Sequence, residues 1–219
     1  MIHAGDSGKS GEGPLRVLAI GDSYMAGTGA PPGESCIDQA VALLGERGFL
    51  LAAPVVLAVP GWTSADLLQG IAGADPGPDF DAVVLLIGVN DQYGGYPIGA
   101  YAENFERILT QAIAFARGRA DCVIVVSIPD WAVTPFARND PSRDPVQIAA
   151  SIDSFNRVNR SISERYGTRW VNITPLSRRM VGDSSLVAPD GLHPSGRQNG
   201  FWARALVPTL AEILRSRPG

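Results

Sequence analysis

The sequence predicts an α/β domain in which a parallel β-sheet is covered by helices on both faces. Short runs of Val, Ile and Leu alternate along the chain with longer segments of helical periodicity. The apolar runs are nearly continuous, which is typical of strands whose two faces are both covered. Strands that alternate with helices build a parallel sheet with helical layers on its two sides.

Four strands and a weaker fifth are predicted from these runs. In chain order they are LRVLAI (15–20), APVVLAV (53–59), DAVVLLIGV (81–89), DCVIVVSI (121–128) and the weaker TRWVNI (168–173). The first four are nearly continuous in apolar residues, so we expect both of their faces to be covered.

Helical segments separate the strands. In chain order they are IDQAVALLGERG (37–48), SADLLQGIAG (64–73), AYAENFERILTQAIAFARG (100–118), DPVQIAASIDSFNRVNRSISERYG (144–167) and GRQNGFWARALVPTLAEILRS (196–216). Ser64 is the candidate N-cap of the second segment. The third segment has one apolar face, formed by Phe105, Leu109, Ala112 and Phe115.

Length and composition indicate a single globular domain. The chain has 219 residues, of which 45% are hydrophobic and 18% are charged, as expected for a chain with a full core. We predict a flexible polar leader over residues 1–14 and one domain over 15–219. The net charge of −4 argues against nucleic-acid binding, which requires a basic excess to neutralise phosphates.

No segment is apolar enough for a signal peptide or a membrane span. We therefore expect a cytoplasmic protein without stable membrane insertion, or a secreted one if a leader has been removed. The two cysteines, Cys36 and Cys122, are too few for a disulfide framework. Cys122 lies in an apolar run, where it is expected to pack as a small hydrophobic residue.

Ligands of open α/β sheets bind beyond the carboxyl ends of the strands. The segments that follow the first four predicted strands are GDSY (21–24), PGWT (60–63), NDQY (90–93) and PDW (129–131). The last of them opens the longest irregular stretch, residues 129–145. Loops of that length are usually functional or mobile, so this one is a candidate cover for the site.

Ser23 is a candidate nucleophile because it follows a buried strand and precedes a turn. A turn at this point projects a serine hydroxyl over the edge of the sheet. The motif alone is weak, since Gly-Asp-Ser also occurs at residues 5–7, where the polar leader offers no strand to position it. The alternative is that Ser23 caps a helix.

Gly61 and Asn90 are candidate oxyanion-hole residues. A glycine allows a backbone N–H to approach an oxyanion closely, and a carboxamide donates a hydrogen bond to developing negative charge. The alternatives are an ordinary turn at Gly61 and a carboxamide that bridges loop backbone at Asn90. The neighbouring Asp91 is expected to be a turn or helix-cap residue rather than a catalyst.

Asp190 and His193 lie together in the loop DGLHP (190–194), and the only other histidine is His3 in the leader. Three residues is short enough for the carboxylate to reach the ring Nδ1, which leaves Nε2 to face Ser23. The alternative is a solvated histidine that caps the following helix.

No metal or nucleotide site is predicted. One histidine outside the leader and two separated cysteines supply too few ligands for zinc. The segment GDSYMAGTGA (21–30) is neither a Walker loop nor the Gly-x-Gly-x-x-Gly fingerprint.

Together, four blocks of the sequence resemble those of the SGNH/GDSL hydrolases, a superfamily of esterases and lipases. The blocks are Gly21-Asp22-Ser23, Gly61 in GWTS, Gly88-Val89-Asn90-Asp91 and Asp190-Gly191-Leu192-His193, in the order of the family. The resemblance extends from residue 15 to the C-terminus. The block GDSY departs from the commoner Gly-Asp-Ser-Leu, which leaves the specificity beside the nucleophile open.

The resemblance implies a flavodoxin-like three-layer α/β/α sandwich with about five parallel strands in the order 2-1-3-4-5. It implies a catalytic triad of Ser23, Asp190 and His193. It also implies an oxyanion hole made by the Ser23 and Gly61 N–H groups and the Asn90 side chain. This chemistry needs no metal or organic cofactor, and its partner is a small-molecule ester.

The predicted activity is hydrolysis of carboxylic esters through an acyl-enzyme, with short acyl or acetyl esters favoured. Aromatic residues that follow the strands are candidate substrate-binding residues, and they are Tyr24, Trp62, Tyr93 and Trp131, with Tyr96 and Phe136 nearby. The alternative for each is packing beneath the loops. Two other functions are left open: a lysophospholipase or thioesterase that uses the same site, and a non-enzymatic flavodoxin-type module that binds a flavin or nucleotide.

Overall fold

The structure is a computed structural model that describes residues 13–216. Of the predicted leader over residues 1–14, only the last two residues belong to this range. His3 and the second Gly-Asp-Ser at residues 5–7 lie outside the described residues.

The described chain contains one five-stranded sheet in the order β2-β1-β3-β4-β5, and all neighbouring strands are parallel. The strands are β1 (Val17–Gly21), β2 (Val55–Ala58), β3 (Ala82–Leu86), β4 (Val123–Val126) and β5 (Arg169–Val171). The predicted number of strands and their order are confirmed.

Nine α-helices lie within residues 13–216. They are α1 (Ser23–Ala26), α2 (Cys36–Gly45), α3 (Ser64–Ala74), α4 (Val89–Tyr93), α5 (Ile98–Phe115), α6 (Pro135–Arg138), α7 (Pro145–Tyr166), α8 (Thr174–Ser177) and α9 (Gly196–Arg215). Helix α2 packs on α9, while α3, α5 and α7 pack side by side. The two groups cover opposite faces of the sheet, as the doubly wound topology requires.

The core is built around the central strands. Every residue of β1 and β3 is buried, and the predicted apolar face of α5 packs on them through Phe105, Leu109 and Ala112. None of the helices within residues 13–216 combines the length and apolar character needed to cross a lipid bilayer. Cys36 and Cys122 are both buried and unpaired.

Strand β2 differs from the expectation that both of its faces are covered. It forms one edge of the sheet, and Val55 and Val56 are 40% and 44% exposed. Successive residues of a strand point to opposite faces, so both faces are open where β2 begins. The helical layers do not extend far enough to cover an edge strand fully.

Helix α3 begins one residue away from its predicted start. Its N-cap is Thr63, whose hydroxyl accepts from the Asp66 N–H while the Asp66 carboxylate accepts from the Thr63 N–H at 2.9 Å. This reciprocal capping box satisfies two backbone donors. The prediction that Ser64 is the cap is therefore wrong, and the Ser64 side chain is available for another contact.

The stretch 129–145 has more structure than the sequence predicts. It contains a 3-10 turn at Trp131–Val133 and the helix α6. The Asp130 carboxylate accepts from the Ala132 N–H at 3.0 Å and from Arg178 Nε at 2.8 Å. The second bond attaches the start of the stretch to the segment that follows α8.

Candidate active site

A cavity of about 250 Å³ lies at the carboxyl ends of the strands. Seven of the predicted site residues line it, namely Ser23, Tyr24, Gly61, Asn90, Tyr93, Trp131 and His193. The remaining lining residues are Pro60, Val89, Phe136 and Leu192. Candidate nucleophile, candidate base and candidate oxyanion donors therefore meet in one small volume.

Ser23 is the first residue of α1 and is separated from the end of β1 by Asp22 alone. The helix is capped by Asp22, whose Oδ1 accepts from the Tyr24 N–H at 3.0 Å, so Ser23 itself is not the N-cap. Gly21 has no space for a side chain, because a Cβ there would lie 2.1 Å from the Leu86 carbonyl oxygen in β3. The close approach of the two strands sets the turn that carries Ser23 into the cavity.

Asp190 and His193 are joined directly. His193 Nδ1 lies 2.6 Å from Asp190 Oδ2, and Asp190 Oδ1 accepts from the Leu192 and His193 N–H groups at 2.9 Å each. Partial burial of Asp190 acts to raise its pKa, but the hydrogen bonds from Leu192 and His193 outweigh it and hold the pKa below the ordinary value. The ionised carboxylate favours the proton on Nδ1, which leaves Nε2 as the acceptor of the ring.

The loop that carries this pair is closed by backbone contacts. The Ala188 N–H donates to the His193 carbonyl at 2.8 Å. The Tyr24 ring packs on the His193 ring with their centroids 5.7 Å apart. Tyr24 is buried beneath the histidine, so only part of it faces the cavity.

Gly29 supports the same loop and was not identified from the sequence. Its φ is +84°, and a Cβ there would lie 2.7 Å from Ala188 Cβ and 3.1 Å from His193 Cβ. A side chain would therefore displace the histidine loop. The signal available in the sequence is the pair of glycines in AGTGA (26–30), shortly after Ser23.

Three potential donors surround the cavity. The Gly61 N–H has no hydrogen-bond partner among residues 13–216, and the φ of +86° at Gly61 favours glycine. The Ser23 N–H occupies the first helical position, where a helix offers no acceptor. Asn90 Nδ2 donates to the Trp62 carbonyl at 2.8 Å, which leaves its second hydrogen free. Asn90 thus bridges the neighbouring loop and lines the cavity at the same time.

Asp91 ties two of these loops together. Its buried carboxylate accepts from the Ser64 N–H at 2.8 Å and from the Ser64 hydroxyl. The bond connects the start of α3, which follows Gly61, to α4, which carries Asn90. The Asp91 carboxylate therefore connects the loop of Gly61 to the helix of Asn90.

Asp22 is a fully buried carboxyl next to Ser23, and its Oδ2 has no hydrogen-bond partner in the described part of the chain. Burial raises its pKa from the ordinary 3.8 to about 7, and the nearby Asp91 charge adds to this shift, while the hydrogen bond from the Tyr24 N–H opposes it. An appreciable fraction of Asp22 is therefore neutral at neutral pH. The Asp22 carboxyl also caps the N-terminus of α1, the turn that carries Ser23.

The predicted aromatic residues have different positions. Tyr93 and Trp131 line the cavity, and Trp131 Nε1 donates to Gln92 Oε1 at 2.8 Å. Trp62 is not among the lining residues, contrary to prediction. Its indole packs on α3 at Gly70, where a Cβ would lie 2.2 Å from the ring. Trp62 contributes its backbone carbonyl to the site instead, as the acceptor of the Asn90 amide.

A comparison with known protein families identifies the family of this chain. The profile of the GDSL-like lipase/acylhydrolase family matches residues 19–199, which is most of the chain. The chain belongs to the GDSL-like lipase/acylhydrolase family. The predicted resemblance to SGNH/GDSL hydrolases is confirmed, and family membership supports a carboxylic ester hydrolase. No curated protein matches the sequence significantly.

Several solved structures have the same fold as this chain. TesA is 21% identical, with a TM-score of 0.70 over 91% of this chain and 100% of its own. The lipase/acylhydrolase from Enterococcus faecalis is 18% identical, with a TM-score of 0.72 over 94% of this chain and 100% of its own. Axe2, an acetylxylan esterase from Geobacillus stearothermophilus, is 22% identical, with a TM-score of 0.67 over 94% of this chain and 99% of its own.

The replacement Asp22→Asn should stabilise the protein increasingly as the pH rises. The folded-state pKa of Asp22 lies above its unfolded value. The part of the unfolding free energy that depends on the bound proton is therefore fully present below pH 3.8, and it is lost as the pH rises through about 7. The substituted carboxamide carries no charge at any pH, so the variant escapes this loss. The difference in unfolding free energy between variant and wild type should grow by up to about 4 kcal/mol between about pH 4 and about pH 8.

Urea denaturation of both proteins at the two pH values measures this difference. Glu46→Gln is the matched control, because it removes a carboxylate that is exposed at the surface. A difference for Asp22→Asn that does not change with pH would show that ionisation of the buried carboxyl does not destabilise the fold.

Proposed function

We propose that the chain is a serine hydrolase that cleaves carboxylic esters of short acyl groups through an acyl-enzyme intermediate. The observation that carries the proposal is the 2.6 Å contact between His193 Nδ1 and Asp190 Oδ2 at a cavity that Ser23 also lines. A histidine oriented in this way by a carboxylate can act as a general base toward a serine hydroxyl.

In the first step, Ser23 Oγ attacks the acyl carbonyl while His193 Nε2 takes the hydroxyl proton. Asp190 keeps the other ring nitrogen protonated and stabilises the imidazolium that forms. The bond between the acyl carbon and the alcohol oxygen then breaks, and the imidazolium gives its proton to the leaving alcohol. In the second step, water attacks the acyl-enzyme with His193 again as the base and releases the carboxylic acid.

The negative charge on the carbonyl oxygen is stabilised by the N–H groups of Ser23 and Gly61 and by the Asn90 amide. These donors are already held in place by the strands and by the bonds between the loops, so little reorganisation is needed as the charge develops. The Asn90 amide has one hydrogen committed to Trp62 and one available for this role.

The size of the cavity supports a small substrate. Its volume of about 250 Å³ lies below the roughly 300–1,000 Å³ of pockets for drug-sized ligands. The lining by Tyr93, Trp131 and Phe136 offers flat apolar walls for a short acyl group or a sugar face. The acetylxylan esterase Axe2, which has the same fold, acts on acetyl esters by its name, and this is compatible with a small acyl group here.

Removing any member of the proposed triad should nearly abolish activity. Ser23→Ala, His193→Ala and Asp190→Asn should each lower kcat for p-nitrophenyl acetate by on the order of 10⁴, with little change in the thermal midpoint. Ser7→Ala is the matched control, because it alters the second Gly-Asp-Ser block and should leave kcat unchanged. If Ser23→Ala keeps more than a few per cent of the wild-type rate, Ser23 is not the nucleophile.

Replacing Asn90 should affect the transition state more than ground-state binding. Asn90→Ala should lower kcat by roughly 10²–10³ with a smaller change in KM, since the amide acts mainly on the developing oxyanion. Asn104→Ala is the control, because Asn104 Nδ2 donates to Ser64 Oγ at 3.3 Å within the same loop connection but does not line the cavity. A rise in KM alone for Asn90→Ala would make Asn90 a ground-state binder.

The acyl-chain preference should be narrow. kcat/KM for p-nitrophenyl esters should be highest for acetate to butyrate and fall steeply by decanoate, because the end of a long chain stays in water and gains little from each added methylene. Trp131→Ala should reduce the kcat/KM advantage of the short esters over decanoate by a larger factor than it lowers kcat for acetate. An optimum at palmitate would favour a lysophospholipase, and faster cleavage of matched thioesters would favour a thioesterase.

A further inference from the structure

Arg143 lies over the outer side of the cavity lining. Its guanidinium carbon is 3.9 Å from the ring centroid of Phe136, 5.6 Å from that of Trp131 and 5.8 Å from that of Tyr93. We call these three rings the aromatic wall, because all three line the cavity. Arg143 itself does not line the cavity, so the cation lies against the rings without forming part of the cavity lining.

All three nitrogens of the Arg143 guanidinium have polar contacts. Arg143 Nη1 donates to the Phe136 carbonyl at 2.7 Å, and Nη2 lies 3.5 Å from the Tyr93 hydroxyl. Nε lies 3.1 Å from the Asp140 carboxylate. A planar guanidinium can stack on a ring and donate in its own plane at the same time, which an ammonium group cannot do.

A local turn holds Arg143 in this position. The Asp140 carboxylate accepts from the Ser142 hydroxyl at 2.6 Å and from the Ser142 N–H at 3.0 Å. These bonds, followed by the charge of Arg143, keep the pKa of Asp140 below its ordinary value. The ionised Asp140 therefore presents a fixed charge to Arg143, and the Arg143 N–H donates back to the Asp140 carbonyl at 3.0 Å.

Two rings of the aromatic wall, those of Tyr93 and Phe136, are partly exposed to solvent. Tyr93 is 54% exposed and Phe136 is 36% exposed, whereas Trp131 is buried and bonded to Gln92. The three rings contact one another, with centroids 5.4 to 6.4 Å apart. The Phe136 N–H donates to the Gly191 carbonyl at 2.9 Å, so the backbone of the wall is attached to the loop of His193.

We propose that Arg143 is a positioning residue that sets acyl-chain preference by holding the rings of Tyr93 and Phe136 in the aromatic wall. This inference rests on the proposed ester hydrolysis at the same cavity. Arg143 affects specificity because the aromatic wall contacts the acyl chain. Arg143 does not contact the reacting atoms. Without the cation, the two exposed rings gain rotational freedom, and a chain longer than acetyl loses a fixed apolar surface.

The kinetic test compares Arg143→Ala and Arg143→Lys with wild type on p-nitrophenyl acetate and butyrate. The ratio of kcat/KM for butyrate over acetate should fall by about 3- to 10-fold in Arg143→Ala. The change should appear in KM for butyrate, while kcat for acetate stays within about twofold. Arg143→Lys should resemble Arg143→Ala, because charge without the planar fork does not restore the stack.

Arg160→Ala is the matched control. Arg160 also lies over an aromatic ring, 5.1 Å from the Trp170 centroid, and it pairs with Glu164 at 2.8 Å. None of these three residues lines the cavity. Its substitution should leave the butyrate-to-acetate ratio unchanged. If Arg143→Ala lowers kcat/KM equally for both esters, Arg143 only stabilises the fold and the proposal is overturned. The proposal is also overturned if Arg143→Ala or Arg143→Lys keeps the wild-type ratio of kcat/KM for butyrate over acetate.

A binding test separates this inference from the proposed function. Ligand-observed NMR titration of ethyl acetate and ethyl butyrate against Ser23→Ala and Ser23→Ala/Arg143→Ala requires no turnover. The double variant should lose about 3- to 10-fold in affinity for the butyrate ester and less for the acetate ester. Equal affinities in the two proteins would overturn the role of Arg143. If wild-type hydrolysis does not depend on Ser23, the proposed function fails, and this titration still decides the role of Arg143.

Discussion

A parallel sheet brings the carboxyl ends of its strands to one edge, and the site depends on that constraint. Ser23 follows β1, Gly61 follows β2 and Asn90 follows β3, and these three strands are neighbours in the sheet. The histidine is supplied differently. His193 comes from a loop before α9, and its position rests on the Asp190 carboxylate, the packing of Tyr24 and the close approach of Gly29. The histidine is thus held by contacts around a loop rather than by the sheet.

The loops at this edge are connected by buried and partly buried polar bonds as well as by apolar packing. Asp91 binds Ser64, and Asn90 binds the Trp62 carbonyl. Hydrogen bonds are strong in a low-dielectric interior. Removing one partner leaves a buried donor or acceptor unsatisfied, which destabilises the fold. The loops that carry the potential oxyanion donors are therefore fixed relative to one another. Preorganised donors are what stabilisation of a developing oxyanion requires.

Much of the fold was predictable from the sequence, since apolar runs and helical periodicity are set by neighbouring residues. The five strands and the face of α5 follow from such local patterns, and the resemblance to a known family supplied the order of the strands. The contact between Asp190 and His193 also lies within one loop and was predictable from spacing. Capping by Thr63 instead of Ser64 was not, because two adjacent hydroxyl residues fit the same pattern.

Tertiary structure alone decided where side chains from distant segments meet. The ring of Trp62 packs on α3, and Gly29 packs on the histidine loop. The guanidinium of Arg143 lies over rings that follow two different strands. Each of these contacts depends on which surfaces the folded chain brings together. Local periodicity carries no information about such packing, because shape and space at a contact are created only when the strands and helices have assembled.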